Sequence, residues 1–144
     1  MKKKMQVSDI LILIGSIVVL IFFFLPWESD ILDYIYGPLT GLGFATTLAS
    51  HASGMPGLTY FIIPISAIIC LILVIINIIG KWEIKNRNLI LLIIAILGLL
   101  PIIQLYIEHS TYTGMYSLRF GLFITIIGLL LNLIGSISNF LKKR

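Results

Sequence analysis

Four stretches of the chain, 10–27, 58–80, 88–107 and 120–141, contain no Asp, Glu, Lys or Arg. Within them apolar residues neither alternate with polar ones, as in a membrane barrel strand, nor keep to one stripe, as on a water-facing helix; they fill nearly every position. A helix that is apolar all round belongs in lipid, where the backbone must satisfy its own hydrogen bonds. At ~1.5 Å rise per residue each run is about long enough for a hydrocarbon layer of roughly 30 Å, the first being the shortest. The expected fold class is therefore an all-α integral membrane protein, a bundle of four transmembrane helices. One membrane domain covers 1–144, with helices at about 8–27, 58–80, 88–107 and 118–141, outer loops at 28–57 and 108–117, and a cytoplasmic loop at 81–87.

Composition agrees with the pattern. Of 144 residues 59% are hydrophobic and 11% charged, against about 25% charged in ordinary soluble domains. The charges that remain set the orientation. Lys2, Lys3 and Lys4 precede the first run, Lys81, Lys85 and Arg87 separate the second from the third, and Lys142, Lys143 and Arg144 follow the fourth. Four crossings put all three clusters on one side, which the positive-inside rule makes the cytoplasm, with both termini there. That side then holds nine basic and two acidic residues (Asp9, Glu83), a balance of +7, and the outer side holds Arg119 against Glu28, Asp30, Asp33 and Glu108, a balance of −3. A fifth crossing over 34–50 would scatter the clusters; a re-entrant or surface-lying 38–50 preserves them. Lys2 to Lys4 before an apolar run has the order of a signal peptide, but the run ends in Leu25-Pro26-Trp27-Glu28 without a small-x-small cleavage site, so the first helix is read as uncleaved. The single cysteine, Cys70, forms no disulfide within the chain and says nothing of redox compartment.

The run Phe22-Phe23-Phe24-Leu25-Pro26-Trp27, the Gly41-Leu42-Gly43 stretch and the glycines 128 and 135 of the last helix resemble a loose class of small prokaryotic four-helix membrane proteins with a Phe-Leu-Pro-Trp exit from the first helix. The resemblance implies topology and no mechanism. A long first outer loop with a short second one looks like the claudin-type plan, but this loop lacks the Trp-Gly-Leu-Trp run and the cysteine pair.

Gly121, Thr125, Gly128, Asn132, Gly135 and Asn139 follow one another at spacings of four, three, four, three and four. Such a heptad seam of small and polar residues lets another helix approach closely, at roughly +20°. It is a helix-packing face within the chain or an interface with another subunit. Asn132, well inside the hydrocarbon, requires an interhelical hydrogen bond, worth ~0.6 to 2 kcal/mol. Ser66, Cys70 and Asn77 form a weaker counterpart on the second helix, Asn77 meeting water or headgroups on the simplest reading. Pro64 and Pro101 each remove a backbone hydrogen bond and are expected to bend their helices.

No Asp, Glu, Lys, Arg or His is expected deep in a span, which argues against proton-coupled transport and charge-selective pores. The chain resembles small four-helix exporters in size but lacks their intramembrane acid. Fourteen of sixteen aromatic residues fall on the outer side, the exceptions being Trp82 and Phe140. An interfacial belt decorates both interfaces; the excess on one side suggests an aromatic cap, with Trp27, Tyr34, Tyr36, Tyr112 and Tyr116 as candidate contacts for a partner. His51 and His109, with Met55, Met115 and nearby carboxylates, show no metal-ligand spacing. No nucleophile with a paired base and no phosphate loop occurs.

These features lead to a non-enzymatic accessory or structural subunit, without cofactor, metal or nucleic acid, whose partners are membrane lipids and a membrane protein or second copy. The competing expectation is a permeation protein for a neutral or weakly charged solute, assembled as an oligomer and lined by Ser66, Asn77, Thr125 and Asn132. A membrane-embedded enzyme rests only on the loop histidines.

Overall fold

A computed structural model describes residues 5–30, 39–43, 46, 59–80, 84–111 and 116–142. Among them four long helices, α1 (Val7–Phe22), α2 (Ile62–Ile79), α3 (Arg87–Thr111) and α4 (Phe120–Leu141), carry nearly all the regular structure. Three short strands, β1 (Pro26–Asp30), β2 (Leu39–Thr40) and β3 (Tyr116–Leu118), and helical residues at 41–43, 46 and 59 are also present. α2, α3 and α4 are long and apolar enough to cross a membrane. α1, at 16 residues, is ~24 Å long.

α1 ends before the expected 27. Phe24 N–H donates to the Ile21 carbonyl at 3.4 Å and Leu25 N–H to that of Phe22 at 3.2 Å, tightening the last turn. Pro26 has no N–H to continue the ladder and starts β1 instead. β1 is the middle strand of a small antiparallel sheet in the order β2-β1-β3, pairing Glu28 with Leu118, Ser29 with Ser117 and Asp30 with Tyr116. The hydrophobic pattern predicts no strand at these positions. α2 begins at Ile62, not 58, so Pro64 lies in its first turn, where backbone N–H groups have no intrahelical acceptor and proline removes nothing. The expected bend therefore has no cause there, while Pro101 does lie inside α3. α2 ends on Gly80, left-handed at φ 71°, whose N–H caps the Ile76 carbonyl at 3.1 Å. α3 runs to Thr111, beyond the expected 107.

The helices surround a common axis in chain order. α1 lies along α2 and α4, and α3 lies along the same two, so α1 and α3 face each other across a diagonal. Near the sheet, Val19, Phe23, Trp27, Tyr60, Ile63 and Leu122 belong to one apolar core cluster. At the other end Ile12, Cys70, Leu73, Val74 and Leu91 form a second. The polar distribution is the reverse of a water-soluble protein's. Ser8, Asp9, Ser16, Thr125, Asn132 and Asn139 are buried, whereas Ile14, Ile17, Ile65, Ile72, Ile103 and Ile134 are about half exposed. Such a surface suits lipid.

Candidate functional site: a polar clasp beside a glycine seam

α1 and α4 run antiparallel and touch backbone to backbone, because each offers glycine where the other approaches. A Cβ on Gly15 would stand 2.5 Å from the Gly128 carbonyl oxygen and 2.5 Å from Asn132 Oδ1. One on Gly128 would stand 2.9 Å from the Gly15 carbonyl oxygen, and one on Gly135 2.7 Å from that of Ser8. Gly121 faces the Pro26 carbonyl equally closely. All six residues of the expected seam, Gly121, Thr125, Gly128, Asn132, Gly135 and Asn139, are buried on α4. The glycine contacts and the side-chain bonds of Asn132 and Asn139 place α1 over this seam, so it is covered within the chain.

The seam repeats one polar contact after a heptad. Ser16 Oγ donates to Asn132 Oδ1 at 3.3 Å. Seven residues on along α4 and eight back along α1, Ser8 Oγ donates to Asn139 Oδ1 at 2.6 Å. Thr125 instead donates to its own helix, at the Gly121 carbonyl, at 2.8 Å. Ser136 Oγ is buried with no partner among the described residues.

At the end of the bundle away from the sheet the seam opens into a cluster centred on Asp9. This residue is 1% exposed, although its place beside the N-terminal lysines reads as a solvated cytoplasmic charge. It lies inside the first turn of α1, which starts at Val7, where the helix dipole favours an anion. Three helices donate to its carboxylate. Arg87 of α3 places Nη2 3.1 Å from Oδ1. Asn139 of α4 places Nδ2 at 3.1 Å from the same oxygen, and Asn77 of α2 reaches Oδ2 at 3.4 Å. Asn77 thus turns inward and bonds to Asp9, correcting the simple reading in which it met headgroups. Asn88 Nδ2 closes the ring by donating to the Asn139 carbonyl at 2.6 Å.

Arg87 is the less satisfied partner. Its side chain is 13% exposed and Nη1 is buried without a partner among the described residues. A cation in the first turn of a helix also opposes the dipole, so α3 alone disfavours it there. The residue before it, Asn86, has φ 60°, left-handed backbone that asparagine tolerates better than most residues. A buried pair of this kind stabilises only when further hydrogen bonds compensate the desolvated charges. On Asp9 the two amides supply them; on Arg87 Nε has Asn88 Oδ1 at 3.4 Å and Nη1 has none. With its oxygens occupied by donors, the carboxylate fits a closing contact between helices better than a base acting on a substrate.

At the sheet end, Trp27 is fully buried, donates Nε1 to the Phe22 carbonyl at 3.0 Å and meets Phe23 edge-on at 5.5 Å. It fills the bundle and does not contribute to an exposed binding face. Tyr34, Tyr36 and Tyr112 lie outside the described residues, as does the side chain of Tyr116, whose backbone is in β3. His51 and the side chains of Glu108 and His109 also lie outside them; among the described residues no His, Cys, Asp and Glu cluster is positioned to hold a metal.

The small and polar repeat predicts the α4 side of the seam; the α1 side emerges from the structure. Ser8, Gly15 and Ser16 at spacings of seven and one mirror the α4 repeat and are its visible signal. Compared with protein-family models, with curated proteins and with solved structures, the chain matches none.

Proposed function

We propose that the chain is a four-crossing protein of the cytoplasmic membrane, with both termini in the cytoplasm, that acts as a non-enzymatic accessory or structural subunit beside other membrane proteins. The distribution of charge supports this orientation: the clasp end carries Lys85 and Lys142, and the lysine and arginine clusters fall on that side when α1 also crosses. α1 is short for a crossing, and the turns through Leu25 with the buried Trp27 lengthen its apolar column.

One observation carries the functional reading. Of the residues expected to line a path, Asn132 bonds to Ser16 across the α1–α4 seam, Asn77 bonds to Asp9, and Ser66 and Thr125 donate to carbonyls of their own segments, at Ile63 and Gly121. What the chain offers its neighbours in the membrane is a well-packed aliphatic column, with specificity left to its two ends. A solute path along the axis of a single copy is disfavoured by the side chains buried there, Trp27 and Tyr60 near the sheet and Ile12 and Leu91 near the clasp.

Purification in mild detergent after crosslinking in the native membrane tests the reading. A reproducible complex with another membrane protein is expected. A strictly monomeric chain with no co-purifying protein contradicts it, and solute flux through liposomes holding the purified chain alone would favour permeation.

A further inference from the structure

Toward the clasp end the outward face of α4 is not a uniform aliphatic surface. Ile134, Ile137 and Leu141, 53%, 40% and 61% exposed, stand around Ser138, and with Lys142 these residues line an open groove of about 470 Å³. Spacings of three, one, three and one keep all five on one face of the helix. The groove exists because Ser138 ends at its hydroxyl where its neighbours carry branched aliphatic side chains, and from Ile134 to Leu141 it is ~10 Å long. Its two polar groups are unengaged. Ser138 Oγ has no hydrogen-bond partner among the described residues. Lys142 is exposed and has no counter-charge among them, since Asp9, the described carboxylate at this end, is buried against Arg87. The end of a helix ordinarily repels an anion through its last carbonyls. Here the Ser138 carbonyl accepts from Lys142 N–H at 3.2 Å and the Asn139 carbonyl from Asn88 Nδ2 at 2.6 Å, which takes up part of that negative end.

We propose that this groove seats one anionic glycerophospholipid. The upper part of an acyl chain lies against Ile134, Ile137 and Leu141, an ester oxygen accepts from the Ser138 hydroxyl, and the phosphate meets the Lys142 ammonium, whose long stem lets the charge reach headgroup level. Each part of the ligand is called for by a different part of the groove. A hydroxyl facing hydrocarbon is costly unless an oxygen or nitrogen meets it, and the glycerol esters are the lipid atoms at that depth. A free phosphate gains nothing from three aliphatic walls. A zwitterionic choline lipid brings a second cation toward Lys142, whereas a lipid of net negative charge does not. A transmembrane helix laid in the groove would have to cover the ammonium without supplying a carboxylate that the bilayer disfavours.

This seat depends on α4 crossing the membrane and not on the accessory role; a lipid held by a monomeric chain leaves it standing whatever becomes of that role. Native mass spectrometry of the full chain, released from micelles containing equimolar dioleoyl phosphatidylglycerol and dioleoyl phosphatidylcholine, counts the lipids retained. The wild-type chain is expected to keep one phosphatidylglycerol in preference to phosphatidylcholine. Lys142→Gln should lower that preference roughly fivefold, the contribution of one lysine at an anionic surface. Ser138→Leu, which fills the groove and keeps every charge, should abolish it, and Leu141→Ser, which removes an exposed wall without adding volume, should weaken it. Lys85→Gln, at the same end but outside the groove, should leave it unchanged. Equal retention of the two lipids overturns the proposal. So does a preference that survives Ser138→Leu, or one that Lys85→Gln lowers as much as Lys142→Gln, because both mean a diffuse basic end. Displacement of the lipid by inorganic phosphate alone overturns it as well, and so does a protein complex that Ser138→Leu dissociates while no lipid is retained, since that assigns the groove to a partner helix.

Discussion

Asp9 and Arg87, 78 positions apart in the chain, meet at 3.1 Å across the diagonal of the bundle. Neighbouring helices pack through aliphatic side chains, but helices on a diagonal have to be joined by something long. Arginine supplies the reach and a fork of donors, and a carboxylate at a helix N-terminus supplies the acceptor. Amides from α2 and α4 address the same carboxylate, so all four helices are tied at one end. Such a cluster determines which helix faces which, a specificity that isoleucine surfaces alone do not provide.

Gly128→Leu should damage the fold and not an assembly surface. Even Gly128→Ala places a Cβ 2.9 Å from the Gly15 carbonyl, so α1 and α4 must separate, at about 1–3 kcal/mol. Thermal unfolding of the detergent-solubilised protein, with its oligomeric state measured in parallel, distinguishes the two outcomes. Loss of assembly at unchanged stability would show that the seam serves a second subunit.

Ser16 and Asn132 are coupled through their hydrogen bond. Ser16→Ala is expected to destabilise by ~0.6 to 2 kcal/mol, and much less once Asn132 is already leucine. Equal effects in both backgrounds would mean that the bond contributes nothing.

Trp27 should behave as a core residue. With Trp82→Phe it becomes the sole tryptophan, and its emission is expected to be blue-shifted and shielded from acrylamide. Trp27→Ala removes a fully buried ring and is expected to destabilise by about 3–5 kcal/mol. Ready quenching would place it on an exposed face instead.

Orientation is read by membrane-impermeant thiol reagents in the Cys70→Ala background. Lys85→Cys and Lys142→Cys should react from the cytoplasmic side and Arg119→Cys from the outer side. Reaction of Lys85→Cys and Lys142→Cys from opposite faces would refute an even number of crossings between them.

The helices were legible because an uncharged aliphatic run in this chain has few alternatives. Their ends were less so. α1 stops at Phe22 because Pro26 and Trp27 join a sheet whose partners include Leu118, a pairing too distant in sequence to leave a local mark. The α4 half of the seam was legible because Gly128 and Gly135, and Asn132 and Asn139, repeat after one heptad. Asp9 was not, since a carboxylate next to the N-terminal lysines is indistinguishable in sequence from a headgroup-facing charge. Only its position inside α1, facing Arg87 and Asn139, shows it to be the centre of a cluster. Similarly, Asn77 read as a residue near the membrane edge until α1 placed a carboxylate beside it.

Asp9 and Arg87 work as one unit that ties the bundle. A double-mutant cycle with Asp9→Asn and Arg87→Gln, read by reversible unfolding in mixed micelles, measures it directly. Removing one member of a buried pair is expected to destabilise by about 3–5 kcal/mol, because the other charge is left uncompensated. The double variant should be far less damaged than the sum of the singles. Strict additivity, or single variants as stable as the wild type, would show that the two residues do not act as a unit.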